Sequence, residues 1–215
     1  MPINQNNGPR TLVAGAAGAA LFILLFLVND VVKPGYDPVR DAVSEAEIGR
    51  GGWLQITNFI VSGLLIAGSS VAVSRAVSRW TGRLVALVGA GLTLAGVFVS
   101  DPVPTNQNTW HGIIHDIVGT LSSAALIIAC FTAARWRPTA RWRGYCILVG
   151  VAMPVVLMIG VAAPETLGIW QRLTNLLGWT WLTTLELRAA RSDKLARPGA
   201  GWSTSGNRPA GSRTS

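Results

Sequence analysis

Charged residues are scarce in this chain of 215 residues, and their scarcity argues against a water-soluble domain. Only 13% of the residues are Asp, Glu, Lys or Arg, whereas 50% are hydrophobic; soluble domains carry about 25% charged residues. The sequence also lacks a phosphate-binding glycine loop, a paired-cysteine metal motif and a haem-attachment motif. The class of protein can therefore be predicted more readily than its chemistry.

Cysteine is also rare, with only two residues, Cys130 and Cys146. Both fall toward helix ends that are predicted to face the cytoplasm, a reducing compartment in which structural disulfides are rare. We therefore expect two buried thiols that pack as small hydrophobic side chains.

Long apolar runs are what the sequence has in abundance. A bilayer core of about 30 Å is crossed by roughly 20 apolar residues of helix, and six runs approach that length. The sequence therefore predicts an all-α, polytopic membrane protein, a six-transmembrane-helix bundle with no separate soluble domain. The predicted helices lie at about 12–28, 53–73, 84–100, 113–134, 145–163 and 172–187.

The helices divide the chain into three segments. Residues 1–11 are predicted to form a short cytoplasmic N-terminus and residues 12–187 the transmembrane domain. Residues 188–215 are rich in Gly, Pro, Ser, Thr and Arg and are predicted to form a disordered, basic cytoplasmic tail. The outer loops are expected at about 29–52, 101–112 and 164–171.

The distribution of positive residues predicts the orientation. Most Lys and Arg residues lie between the second and third helices, between the fourth and fifth, or in the tail, whereas the other connections hold Lys33, Arg40, Arg50 and Arg172. Because cytoplasmic segments are enriched in Lys and Arg, both termini are predicted to be cytoplasmic, in a bacterial plasma membrane. The net charge of +8 then favours membrane lipids, and not nucleic acid, as partners.

Acidic residues gather on the predicted outer side, and several lie in the first outer loop. Asp37 followed by Pro38 is typical of a helix start, and Ser44 with Glu47 fits a capping box. We therefore expect short interfacial helices over the outer mouth of the bundle. The alternative role for Ser44 is that of a nucleophile, which would need a histidine as its base.

The second outer segment contains both histidines of the chain, His111 and His115. Four residues apart, they project from one face of a helix. Neutral imidazoles at this spacing suit zinc, with Asp101 or Asp41 as a further ligand. A zinc site at His111, His115 and Asp101 is one prediction, and a hydrogen-bonded polar cluster that closes the outer end of the bundle is the alternative.

Asp116 is predicted to lie about one turn inside the fourth helix. A carboxylate at such a depth costs about 2–3 kcal/mol even on a lenient scale, so we expect it to face the bundle and to pair with His115, Arg40 or Arg50. Glu186, in contrast, is expected to reach water at the inner interface.

Short polar motifs carry a resemblance to a known family. The first outer loop and the second helix contain Tyr36-Asp37-Pro38, Ser44-Glu45, Gly52-Trp53-Leu54-Gln55, Asn58-Phe59 and Gly63, followed by Asp101-Pro102 and then His111 or His115. With these motifs the chain resembles, over about residues 12–187, the bacterial and archaeal membrane family catalogued as domain of unknown function 998. The resemblance implies a six-helix bundle and no established activity.

Three functions remain open at this point. The first is a non-enzymatic structural, regulatory or lipid-interacting bundle, with a homo-oligomer or another membrane protein as a further possible partner. The second is a metal-dependent enzyme that acts on a lipid or envelope precursor at the outer leaflet. The third is a small transporter. The candidate catalytic residues are Asp41, Ser44, His111, His115 and Asp116.

Overall fold

Six long helices make up the part of the chain that the structure, a computed structural model, describes: residues 7–103, 108–137 and 139–195. No strand occurs within these ranges. Two short 3-10 helices lie in the connections, at Val43–Glu47 and Pro164–Thr166. The long helices are α1 (Gly8–Val32), α2 (Trp53–Ala76), α3 (Arg79–Val97), α4 (Trp110–Ala133), α5 (Ala140–Ala162) and α6 (Leu167–Leu195).

Most of the helices extend past the apolar runs that predicted them. The largest difference is in α6, which was expected at about 172–187 but runs from Leu167 to Leu195. Ala, Arg, Lys and Leu dominate its last turns, and these residues favour helix whether or not they are in lipid. The predicted tail therefore begins too early at residue 188; its residues 196–215 lie outside the described ranges.

Five of the helices, α1 to α5, are long and apolar enough to cross a membrane. α6 has sufficient length but is more polar, since it carries Arg172 and Glu186. Large apolar side chains cover much of the lateral surface, as expected for contact with lipid tails; Leu148 and Met158, for example, are 67% and 63% exposed.

The helices form a ring in which each packs on its neighbour in sequence and α6 returns to pack on α1. The α1–α2, α3–α4 and α5–α6 connections meet at one end of the bundle, which we call the first-loop end. Residues 33–52, the α1–α2 connection, are the first loop. α4 and α6 both pack on α5 but touch each other only slightly, so a space remains between them on the inner side of the ring.

Small residues bring neighbouring helices into close contact. A Cβ atom added at Gly63 would lie 2.7 Å from the carbonyl oxygen of Gly89, and one added at Gly89 would overlap the backbone nitrogen of Ala67. The four-residue spacing of Gly63 and Ala67 thus serves packing between α2 and α3 inside one chain.

Candidate functional site

Arg172 of α6 fixes the first loop to the helices. Its guanidinium donates to Asp30, with Nε 3.0 and 3.1 Å from the carboxylate oxygens and Nη2 2.7 Å from Oδ1. Nη2 also donates to the Tyr36 hydroxyl (2.6 Å), and Nη1 donates to the carbonyl oxygens of Asp41 and Gly168 (2.9 Å each). The planar guanidinium thus binds the Asp30 carboxylate in a bidentate manner, through Nε and Nη2. Sequence reasoning had treated Arg172 only as one positive charge of an outer loop.

The first loop then folds against Tyr36 and the following 3-10 helix. The Tyr36 hydroxyl donates to the carbonyl oxygen of Ala42 (2.9 Å), and burial raises the pKa of Tyr36 above its usual range. The backbone N–H of Val43 donates to Oε1 of Gln171 in α6 (2.6 Å). The loop is thus tied to α6 at several points and lies across the first-loop end.

The predicted capping box is displaced by two residues toward the N-terminus. Glu45, and not Glu47, receives the backbone N–H at the start of the 3-10 helix, from Ala42 (2.6 Å). Ser44 therefore does not cap this helix. Asp37 instead caps a turn, since its Oδ1 accepts the N–H of Val39 (2.9 Å). Of the short helices expected in this loop, one forms, as a 3-10 helix, and its position at a membrane interface stays a prediction.

Glu47 follows in this helix and is buried, with 3% of its surface exposed. Its Oε2 accepts the backbone N–H of Ser100 (3.2 Å) and lies 3.6 Å from Nδ1 of His115. Oε1 has no partner among the described residues. Burial raises the pKa of Glu47 to about 8, and the Ser100 N–H only partly offsets this effect. Sequence reasoning missed Glu47 as a site residue because charged residues in loops are usually solvated.

His115 lies beside Glu47 and is held by the end of α3. Its Nδ1 is 2.8 Å from the carbonyl oxygen of Phe98 and 3.0 Å from that of Ala95. Because carbonyl oxygens only accept, Nδ1 must carry a proton, and in the neutral imidazole Nε2 is then an acceptor. The ring stands edge-to-face on Phe59, with centroids 5.9 Å apart.

His111 belongs to a separate cluster that caps α4. Its Nδ1 donates to the carbonyl oxygen of Val99 (2.8 Å). The hydroxyl and the backbone N–H of Thr109 both donate to Asp101 (2.8 and 2.7 Å), and these hydrogen bonds lower the pKa of Asp101. Thr109 in turn accepts the N–H of Gly112 at the start of the helix (3.1 Å). This arrangement stabilises the helix terminus.

The two histidines are therefore brought near the same connection but bind different carbonyl oxygens. Within the part of the chain that the structure describes, no group of three or more His, Cys, Asp and Glu side chains is placed to hold a metal ion. Asp41 is occupied in the first loop, where Oδ2 accepts the N–H of Asp37 (2.8 Å). Zinc at His111, His115 and Asp101 stays a prediction without geometric support.

A cavity of about 400 Å³ occupies the space between α4 and α6, with its polar end near the first loop. Phe22, Phe59, Leu92, Leu126, Met153 and Trp179 contribute apolar walls, and Ser44, His115, Asp116, Thr120, Ser123, Gln171, Thr174 and Asn175 contribute polar groups. Several α4 residues that line the cavity, among them Asp116, Thr120 and Ser123, are exposed. The cavity is therefore open along α4.

The prediction for Asp116 is only half right. Asp116 does line the interior cavity, but it is exposed. Among the described residues, neither the Arg172–Asp30 ion pair nor the His115–Glu47 contact includes it. The reason is that this face of α4 borders the cavity, where α4 and α6 touch only slightly. The sequence correctly placed Asp116 inside the fourth helix but could not show this gap.

The expectation for Glu186 is wrong. Glu186 is fully buried, with 0% of its surface exposed, and its Oε1 lies 2.6 Å from the Ser69 hydroxyl with which it shares a hydrogen bond. Gly15 of α1 packs so closely on the carboxyl group that a Cβ atom there would overlap it. These two small residues let α1 and α2 close over Glu186, which shields it from water.

The helices and the cavity together define the class of this protein. Five apolar helices and a sixth that completes their ring make it a multi-pass α-helical membrane protein. The family model described as "Protein of unknown function (DUF998)" matches residues 16–188, and the chain belongs to this family, as its motifs predicted. Comparison with curated proteins and with solved structures finds no match.

Proposed function

We propose that this protein binds a lipid-like amphiphile from the bilayer in the cavity between α4 and α6, without catalysing a reaction. The observation that carries the proposal is the cavity itself, in which apolar walls lead to a polar end at His115 and Asp116. Its volume of about 400 Å³ falls in the range of roughly 300–1,000 Å³ that is usual for small-molecule sites.

The packing around the cavity supports entry from the side. α4 and α6 barely touch, and Thr120 and Ser123 of α4 are exposed although they line the cavity. A molecule with an alkyl chain can lie against Met153 and Trp179 and direct its head toward the first loop. The first loop, tied to α6 by Arg172, covers that end of the site.

We further propose that the first-loop end faces outward from a bacterial plasma membrane and that both termini are cytoplasmic. The support is the concentration of Arg at the opposite ends of the helices. Reporter fusions at each terminus and within the first loop test this orientation directly, and an active periplasmic reporter at either terminus contradicts it.

The enzyme hypothesis receives less support from the geometry. Ser44 and His115 both line the cavity, but no hydrogen bond joins them within the described residues, and a serine nucleophile needs a base in contact. The transporter hypothesis would need Asp116 to line a transport path with openings on both sides of the membrane. The exposed residues that line the cavity lie on α4 and support one opening only.

The test is photolabelling of the purified protein in nanodiscs with an alkyl alcohol that carries a diazirine. We expect labelled peptides from the cavity walls of α4 and α6. Gly119 lines the cavity, and a Cβ atom there meets nothing within 4 Å, so Gly119→Phe fills the site and abolishes this labelling. Gly144 is equally open but lies outside the cavity, so Gly144→Phe serves as the matched control. Labelling spread evenly over the lipid-facing surface, and unchanged in Gly119→Phe, contradicts the proposal.

A further inference from the structure

The polar end of the cavity offers a negative charge and hydrogen-bond acceptors but no cation. Among the described residues that line it, His115 and Asp116 are the only ionisable ones. Asp116 is exposed, and its carboxylate is the one acidic group among these lining residues. The sign of the charge at this end of the cavity is therefore negative.

His115 adds a second polar side chain to the lining of the same cavity. The residue is more than nine-tenths buried, and its Nδ1 proton is directed to the carbonyl oxygens of Phe98 and Ala95. Nε2 has no protein partner within the described ranges and remains free to accept a hydrogen bond.

The buried arginine of the first-loop end, Arg172, is not available to a ligand. Arg172 is 8% exposed, and its donors are directed to Asp30, Tyr36 and two carbonyl oxygens. A carboxylate or phosphate head in the cavity would thus meet Asp116 without a compensating positive charge, and repulsion in a partly dry site is stronger than in water.

From this arrangement we propose that the preferred occupant is a single-chain amphiphile with a protonated amine as its head. The ammonium group donates one hydrogen bond to Nε2 of His115 and neutralises Asp116, while the alkyl chain occupies the apolar walls. This inference rests on the proposed function and narrows it to one class of ligand.

The experiment is competition for the cavity labelling by three unlabelled amphiphiles with the same chain: dodecylamine, dodecanol and dodecanoate. The nanodiscs are made of phosphatidylcholine, which carries no net charge. The amount of each amphiphile that partitions into nanodiscs containing Gly119→Phe is measured, and the competition curves are corrected for it. We expect dodecylamine to compete at a concentration at least about tenfold lower than dodecanoate, as one close charge pair allows.

Two variants separate the role of Asp116 from the general charge of the surface. Asp116→Asn keeps the size of the side chain. In this variant dodecylamine should compete for the cavity labelling no better than dodecanol. Glu165→Gln removes an exposed acidic residue at the same end of the bundle that does not line the cavity, and it should leave the preference unchanged.

The outcomes distinguish this inference from the proposed function. If the cavity is not labelled at all, the proposed function fails. If it is labelled but dodecanoate or dodecanol competes as well as dodecylamine, amphiphile binding stands and the preference for an amine is overturned. If dodecylamine is still preferred in Asp116→Asn, the proposed role of Asp116 in amine recognition is overturned as well.

Discussion

Glu47 and His115 lie 3.6 Å apart, from Oε2 to Nδ1, and link the first loop to α4. The distance is longer than a strong charged hydrogen bond, and the Nδ1 proton is instead directed to backbone carbonyl oxygens. A neutral Glu47 explains this geometry, since its pKa is raised to about 8 by burial. The contact holds the ring in position without requiring an ion pair.

Glu47→Gln should remove one pH dependence of stability. The pKa of Glu47 is raised in the folded state from 4.5 to about 8, so its protonation favours folding below pH 4.5, and this contribution declines as the pH rises to about 8. The difference in melting temperature between wild type and Glu47→Gln in detergent should therefore move in favour of the variant between pH 5 and about 8. A difference that does not change with pH shows that Glu47 is ionised in the folded protein.

Removal of Arg172 should be among the most destabilising single changes. Arg172→Met leaves the Asp30 carboxylate, which is only 14% exposed, without its partner; loss of one partner of a buried pair costs about 3–5 kcal/mol. Arg172→Lys keeps the charge but loses the planar fork and should be intermediate. Thermal unfolding in detergent measures both effects.

The matched control is Arg40→Ala, since Arg40 is an exposed arginine in the same loop. It should change the stability by less than about 0.5 kcal/mol. If Arg172→Met is equally mild, the Arg172 contacts do not hold the loop in solution.

Two glycines on the α2–α3 hairpin should respond to alanine in opposite ways. Gly89→Ala places a Cβ atom against the backbone of Ala67, so the helices must separate, at a cost of about 1–3 kcal/mol or more. Gly68→Ala enters open space and should be neutral or stabilising by about 0.5–1 kcal/mol, because alanine is the better helix former. Melting temperatures measure the pair; equal effects contradict close packing at Gly89.

Metal analysis decides between the two interpretations of the histidines. We expect His111→Ala to weaken the start of α4 and His115→Ala to disturb the cavity, with no shared loss of a bound ion, because the two side chains bind different carbonyl oxygens. Elemental mass spectrometry of the purified protein gives the measurement. About one zinc per chain, lost in the double variant, would restore the zinc hypothesis.

The helices were predictable because apolar length alone specifies a membrane span, and α1 to α5 confirm this. The helix ends were less predictable, since α6 continues to Leu195 on residues that favour helix in any solvent. The partners of charged residues were not predictable from spacing. Arg172 donates hydrogen bonds to Asp30, and Gly15 packs against the buried Glu186. Both contacts join parts of the chain that are far apart in sequence.

The Arg172–Asp30 pair also has a consequence for biogenesis. The two residues are separated by 142 positions, and the chain is made from its N-terminus. Asp30 and the first loop therefore enter the membrane long before their counterion exists, and they remain uncompensated while four further helices are inserted. The first loop can acquire its final shape only after α6 has been inserted. The last helix to be synthesised therefore completes the first connection.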